Sequence, residues 1–105
     1  MIRTEGGHFW ITFKNGYTLS CFNGFGSHTE NHYAIDKWEK IYMSEKSNPY
    51  DNHWESTLIE IAILHNGELV TQNIIESDDS VKTIDVNELV NVINIVNNLQ
   101  GEDNE

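Results

Sequence analysis

The chain has one cysteine, one proline and, over half of its length, almost no positive charge. Because Cys21 has no second cysteine to pair with, an internal disulfide and a cysteine-rich zinc site are excluded. No apolar run approaches the roughly 20 residues that a membrane helix requires, and residues 1–7 lack the basic and apolar segments of a signal peptide. The sequence therefore predicts a cytoplasmic protein without a membrane anchor.

Positive charge is nearly absent from the second half of the chain. In residues 1–50 five acids balance five bases, whereas in residues 51–105 twelve acids face Lys82 alone, so the net charge of −11 lies in one half. A one-sided negative potential repels nucleic acid, attracts basic partners and resembles a phosphate backbone to a protein that binds one. The charge therefore predicts no direct nucleic-acid binding and a protein partner with a basic groove.

Residues 8–22 predict a β-hairpin, because Asn15-Gly16 stands between two stretches rich in aromatic and β-branched residues. A loop of three residues, 14–16, with Gly16 at positive φ, gives one continuous apolar face, whereas a two-residue loop mixes apolar and polar residues on both faces. The pairs on the apolar face would be Phe9 with Cys21, Ile11 with Leu19, and Phe13 with Tyr17.

Residues 54–75 predict a second hairpin, with strands at 54–64 and 69–75. Here a two-residue loop, Asn66-Gly67, matches the alternation of apolar residues better. That register pairs Ile63 with Val70 and Ile59 with Ile74, and it places His65 opposite Glu68.

Residues 86–100 predict an amphipathic C-terminal helix. Asp85 is placed to cap its first turn, Glu88 to complete a capping box, and Gly101 to follow its end. Several asparagines are poor helix formers, so the helix must gain its stability from packing on the sheet. The expected packing face consists of Val86, Leu89, Val90, Ile93, Val96 and Leu99.

These elements predict an α+β fold: an antiparallel sheet of about four strands, built from two hairpins, with the C-terminal helix packed on one face. A short middle helix is compatible with the spacing of Ile35, Trp38, Ile41 and Tyr42. Residues 1–100 would form one domain, and residues 101–105 an acidic, disordered tail.

The groups that could support catalysis or cofactor binding have plainer explanations. His28 and His32 have the spacing of metal ligands on a helix, but they follow a glycine-bearing loop and do not form the zinc-protease pattern. Cys21 faces the apolar side of the hairpin, where a thiol packs as a small inert hydrophobe. The sequence therefore predicts no enzymatic activity, no metal and no cofactor.

The glycine-bearing loop, which contains Gly24 and Gly26, is also a candidate ligand site. Its backbone N–H groups could form an anion nest, although no P-loop ending follows and a turn alone explains the glycines. As a site for a nucleotide messenger, it would use Gly24, Gly26, Ser27, His28 and His32.

The acids of the second half are candidates for a partner-binding face. Ordinary surfaces intersperse both signs, so the near absence of bases exceeds what solubility requires. Local roles are the alternative, because an acidic loop is often only solvated and acids favour a helix N-terminus. With two middle-segment aromatic residues as anchors, the predicted partner-binding residues are Glu68, Glu76, Asp78, Asp79, Asp85, Glu88, Trp38 and Tyr42.

The two hairpins and the loop after the first carry a set of short motifs: residues 13–20 (F-K-N-G-Y-T-L-S), 24–26 (G-F-G), Glu30-Asn31, and 56–63 (S-T-L-I-E-I-A-I) before Asn66-Gly67. These motifs resemble those of a family of small, largely uncharacterised phage proteins. Residues 26–32 and 33–53 depart from the family pattern. The resemblance implies a phage-encoded protein that acts inside an infected bacterium.

Three functions are compatible with these observations. The first is a non-enzymatic inhibitor of a bacterial defence system, of the anti-CRISPR kind, whose acidic face mimics phosphates in the basic groove of an effector. The second is a sponge that sequesters a cyclic nucleotide or a related defence messenger. The third is a phage accessory or assembly protein whose acidity keeps it soluble. The sequence leaves open the identity of the partner and the choice between a monomer and a homodimer.

Overall fold

A computed structural model describes residues 1–24, 27, 29 and 55–100, and only the backbone of residues 3–5. The expected α+β fold is confirmed: one antiparallel sheet carries the C-terminal helix on one face. The strands are β1 (Ile2–Glu5), β2 (His8–Thr12), β3 (Tyr17–Phe22), β4 (Leu58–His65), β5 (Glu68–Leu69) and β6 (Lys82–Asp85). The helices are α1 (Thr71–Ile74), a 3₁₀ helix (Val86–Glu88) and α2 (Leu89–Asn97).

The first hairpin has the predicted three-residue loop. Phe9 lies opposite Cys21 and Ile11 opposite Leu19, and the N–H of Phe13 donates to the carbonyl of Tyr17 at 2.9 Å. Gly16 has a φ of +89°, a left-handed conformation that favours glycine. The alternation of apolar residues was therefore sufficient to predict the register of β2 and β3.

The second hairpin is shorter than predicted. Its two-residue loop is confirmed by the pairing of His65 with Glu68, but β5 ends at Leu69 and α1 begins at Thr71. The expected pairing of Ile59 with Ile74 is therefore wrong. β6 takes that place along β4, and Ile59 lies opposite Ile84.

Two strands of the sheet were not predicted. β1 pairs with β2 through a turn at Gly6-Gly7, a dipeptide that is itself a hairpin signal. β6 follows a loop rich in serine and aspartate and consists of four residues, too few for alternation to be evident. β4 therefore has β3 on one side and, on its other side, β5 and then β6.

The hydrophobic core lies between the sheet and α2. Its most buried side chains include Leu19, Ile61, Ile63 and Val96, each at most 1% exposed. Burying side chains of this size stabilises the folded state by about 1.5–3 kcal/mol each. The core therefore fixes the central strands, and with them the edge of the sheet beyond β4.

The C-terminal helix differs from its prediction in phase. Asp85 caps the start as expected, since its carboxylate accepts from the N–H of Asn87 at 2.8 Å. Among the described residues, however, Glu88 makes no hydrogen bond back to Asp85, so the expected capping box does not form. The first turn is a 3₁₀ helix, which has fewer residues per turn than an α-helix. The side chains that follow are therefore rotated about the helix axis, relative to their positions in an α-helix that begins at Val86. Val86 and Val90 are consequently exposed, and Val92 is buried in their place.

The C-terminal end of α2 is held by the loop of the first hairpin. The side-chain amide of Asn15 donates to the carbonyls of Val96 at 2.8 Å and Leu99 at 2.9 Å. Its amide oxygen accepts from the N–H of Tyr17 at 3.1 Å. Carbonyls at a helix C-terminus lack partners within the helix, so Asn15 both shapes its own turn and caps α2. The predicted stop residue, Gly101, lies outside the described residues.

No helix within the described ranges is long and apolar enough to cross a membrane.

Candidate functional site

The six acids predicted to bind a partner all belong to the segment that lies along β4 on the side away from β3. This segment, residues 68–88, comprises β5, α1, the loop that follows, β6 and the 3₁₀ helix; we call it the acidic edge. The side chains of all six acids are exposed. The structure therefore places Glu68, Glu76, Asp78, Asp79, Asp85 and Glu88 on a single stretch along one edge of the sheet.

The central part of the acidic edge is the loop between α1 and β6, residues 75–81, which we call the acidic loop. It borders a surface cavity of about 340 Å³. The loop is shaped by its own serines: Ser77 Oγ donates to the carbonyl of Asp79 at 2.7 Å, and the carboxylate of Asp79 accepts from the N–H of Ser80 at 2.7 Å. A loop held in this way presents its carboxylates at a lower ordering cost on binding. The cavity is lined by Glu76, Ser77, Asp78, Asp79, Val81, Lys82 and Thr83.

Thr71 connects this loop to the central strand. Its side chain is 1% exposed; the hydroxyl oxygen accepts from the N–H of Ile63 at 2.9 Å, and the hydroxyl donates to the carbonyl of Ser80 at 2.6 Å. One hydroxyl therefore satisfies a backbone donor of β4 and a backbone acceptor of the acidic loop. The position of the acidic edge thus depends on a residue that carries no charge.

Lys82 is the one base of residues 68–88, and its side chain contacts the backbone of the acidic loop instead of a carboxylate. Its ammonium donates to the backbone carbonyl of Glu76. Within the described part of the chain, no ion pair joins Lys82 to any of the six carboxylates. The acidic edge therefore keeps an excess of negative charge on exposed side chains.

Two acids have local structural roles as well. Asp85 caps the 3₁₀ helix, and Glu88 lies in its first turn, where a negative charge is favourable. Glu68 lies opposite His65 at the tight turn between β4 and β5. The acids with the least evident structural role are Asp78 and Glu76, which makes the loop the best part of the edge to test.

Sequence reasoning missed the residues that shape this site, namely Thr71, Ser77 and Ser80. Ser77 and Ser80 flank Asp78 and Asp79, and serine beside aspartate is a signal for a hydrogen-bonded turn. Thr71 gave no local signal, because its partners lie eight and nine residues away and on both sides of it.

The alternative ligand loop is described only in part. Gly24 is buried, and a Cβ added to it would lie 2.9 Å from the carbonyl oxygen of Gly6. Ser27 Oγ donates to the carbonyl of Gly24 at 2.7 Å and lies 2.7 Å from the hydroxyl of Thr29. Gly24 and Ser27 thus make internal contacts, which explain their presence without a ligand. Gly26, His28 and His32 lie outside the described residues, and ligand binding by this loop stays a prediction.

The aromatic anchors Trp38 and Tyr42, the short middle helix and the acidic tail of residues 101–105 also lie outside the described residues. In residues 1–24, 27, 29 and 55–100, no group of three histidine, cysteine, aspartate or glutamate side chains is placed to hold a metal ion.

Cys21 is fully buried in the core, opposite Phe9 as the sequence predicted. Burial raises the pKa of the Cys21 thiol from an ordinary 9.0 to about 12. A thiol with so high a pKa is almost entirely protonated at neutral pH and is a poor nucleophile. The side chain therefore contributes to packing. Because folding raises the pKa of the thiol, ionisation of Cys21 is linked to unfolding.

The raised pKa of Cys21 predicts a loss of stability in alkali. Below pH 9 the thiol is neutral in both states, but between pH 9 and 12 it ionises in the unfolded chain while the folded chain keeps it protonated. The free energy of unfolding should therefore fall, by up to about 1.4 kcal/mol per pH unit from this group. Urea unfolding of wild type and Cys21→Ala across this range isolates the effect. Equal pH slopes for the two proteins would contradict it.

No protein-family model, curated protein or solved structure matches this chain.

Proposed function

We propose that this chain is a non-enzymatic inhibitor that binds a nucleic-acid-binding protein and occupies its basic groove with the acidic edge. The observation that supports the proposal is the arrangement of residues 68–88: six exposed carboxylates follow one edge of the sheet, and the single base among them is bound to a backbone carbonyl. Carboxylates so placed attract a groove that normally binds phosphates.

The hydrogen bonds of the acidic loop support a role in binding rather than in solubility alone. The hydroxyl of Thr71 and the serine contacts within the loop hold its backbone before any partner arrives. A preformed surface loses less conformational entropy on binding than a flexible acidic tail. The acidic edge therefore has the two properties that a phosphate mimic needs, a concentrated charge and a defined shape.

The partner class follows from the resemblance of the hairpins to small phage proteins. A phage protein that acts in the host cytoplasm and mimics phosphates would block a bacterial defence protein that grips nucleic acid. CRISPR effectors are such proteins, because they hold their nucleic acid in a positively charged channel. We therefore propose an anti-CRISPR-like inhibitor, active in the cytoplasm of an infected bacterium.

Removal of two charges from the acidic loop tests the proposal. The double variant Glu76→Gln and Asp78→Asn raises the net charge by two and leaves the carboxylate of Asp79 to accept from the N–H of Ser80. We expect inhibition of DNA cleavage by a panel of guide-loaded CRISPR effectors to weaken about tenfold, which corresponds to about 1.4 kcal/mol of binding free energy. The salt dependence of binding should also become flatter.

The matched control changes the net charge by the same two units elsewhere. Ile2 is 67% exposed in β1, at the opposite edge of the sheet from the acidic edge, and Gln100 is exposed beyond the end of α2. The double variant Ile2→Lys and Gln100→Lys should inhibit as wild type does. Equal losses in both double variants would indicate a response to net charge alone. Unchanged inhibition by the loop variant, or no binding to any effector of the panel, would contradict mimicry.

The sponge is tested in the same samples. Thermal melting with cyclic nucleotides should leave the melting temperature of the protein unchanged if the protein is an inhibitor. A ligand at a hundred times its dissociation constant would instead add about 2.7 kcal/mol to the stability.

A further inference from the structure

The outer face of α2 has no charged side chain, in a chain whose net charge is −11. Its buried side packs on the sheet through Val92 and Val96. Six residues are exposed on the other side: Val90, Asn91, Asn94, Ile95, Asn97 and Asn98. We call this set the amide face.

Two features set the amide face apart from an ordinary solvated helix surface. Val90 is 63% exposed and Ile95 is 43% exposed, so apolar groups lie on both sides of a central row of asparagines. Asparagine is also one of the poorer helix formers, and each one costs about 0.6 kcal/mol relative to alanine. Lysine and glutamate would solvate the helix at a lower cost in stability.

The central row of asparagines is regular. At 100° per residue, Asn91, Asn94 and Asn98 fall within an arc of about 60° that faces away from the sheet. Asn98 Nδ2 donates to the backbone carbonyl of Asn94 at 2.7 Å. Within the described part of the chain, the side-chain amides of Asn91 and Asn94 have no hydrogen-bond partner. Each of them offers both a donor and an acceptor to a partner surface.

We propose that the amide face binds the same face of a second copy of the chain, with the two helices antiparallel. If a twofold axis passes between residues 92 and 93, Asn91 lies level with Asn94 of the second copy and Val90 lies level with Ile95. A primary amide can both donate to and accept from another amide, so the row is complementary to itself.

The distribution of charge is the reason for choosing a second copy over another partner. Two copies with a net charge of −11 each repel one another, so they can approach most closely through the outer face of α2, whose sequence contains no acid. The cores of protein interfaces are likewise depleted of charged residues. A basic partner would instead bind the acidic edge. The uncharged amide face therefore suits a partner that is itself acidic, such as a second copy of the chain.

The size of the face limits the strength of the dimer. α2 has nine residues and is therefore about 14 Å long, so the pair would bury less than the roughly 1,200 Å² of a standard interface. We expect weak association, with half of the chain dimeric at roughly 100 μM. Screening of the long-range repulsion by salt should strengthen it.

Sedimentation velocity tests the proposal on the full chain. Between about 10 and about 500 μM chain, the weight-average sedimentation coefficient should rise from the monomer value towards that of a dimer. The dissociation constant should fall severalfold when the salt is raised from about 0.05 to about 0.3 M. A monomer at every concentration would overturn the proposal, as would a dimer that salt weakens.

Two double variants locate the interface. Asn91→Ala with Asn94→Ala favours the helix and removes the amides, so a tenfold or larger weakening of the dimer could not arise from unfolding. Asn91→Glu with Asn94→Glu should abolish association, whereas Gln72→Glu with Asn73→Glu adds the same charge at exposed positions of α1 and should weaken it far less. Equal effects of the two glutamate variants, or an unchanged dimer in the alanine variant, would overturn the proposal.

Discussion

Replacement of Thr71 by valine is expected to lower the free energy of unfolding by about 3 kcal/mol. Valine has nearly the shape of threonine, so the packing at this buried position is preserved. The change removes the hydroxyl that accepts from the N–H of Ile63 and donates to the carbonyl of Ser80. Both backbone groups would then lose this hydrogen-bond partner. A buried polar group without a partner lowers the free energy of unfolding by about 1–3 kcal/mol.

Urea unfolding measures the effect, and Thr71→Ser is the matched control because it keeps the hydroxyl and loses one methyl group. We expect the serine variant to lose about 1 kcal/mol. Amide hydrogen exchange of Ser80 and Asp79 should accelerate in the valine variant, because the acidic loop loses its connection to β4. If valine proved no more harmful than serine, the hydroxyl would not hold the loop.

Replacement of Asn15 by aspartate is expected to destabilise the protein by about 2–3 kcal/mol. The new carboxylate can still accept from the N–H of Tyr17, but it cannot donate to the carbonyls of Val96 and Leu99. It also places a negative charge at the C-terminus of α2, where the helix dipole is negative. Loss of the cap and electrostatic repulsion therefore act in the same direction.

Thermal unfolding followed by far-ultraviolet circular dichroism measures this effect. Asn73→Asp makes the same change at an exposed position of α1 and should alter stability by less than about 0.5 kcal/mol. Asn15→Ala should lie between the two, because it removes the donor without adding charge. Equal stabilities of the Asn15→Asp and Asn73→Asp variants would show that Asn15 does not cap the helix.

The elements predicted correctly are those whose signals are local. The register of β2 and β3 followed from the alternation around Asn15-Gly16, and the cap of the last helix followed from Asp85. The error at Ile74 has a different origin. Residues 70–75 have the composition of a strand, but the hydrogen bond from the N–H of Ile63 to Thr71 turns the chain out of the sheet. β6 pairs with β4 there instead and places Ile84 opposite Ile59. No local pattern in the sequence indicates this pairing.

The same distinction applies to the candidate site. Glu76, Asp78 and Asp79 could be found in the sequence because they are close neighbours without bases around them. Their common position along β4 required the pairing of β5 and β6 with that strand. Asn15 was predicted as a turn residue, but its contacts with α2 span more than 80 residues of sequence, so its role as a cap was visible only in the folded chain.

The most direct test of the acidic edge as a phosphate mimic is a competition titration. A guide-loaded CRISPR effector from the panel is mixed with fluorescently labelled target DNA, and the protein is added while fluorescence anisotropy is followed. We expect mutually exclusive binding: the protein displaces the DNA completely, and its apparent dissociation constant rises in proportion to the DNA concentration. A ternary complex, in which the DNA stays bound while the protein saturates the effector, would contradict occupation of the nucleic-acid groove.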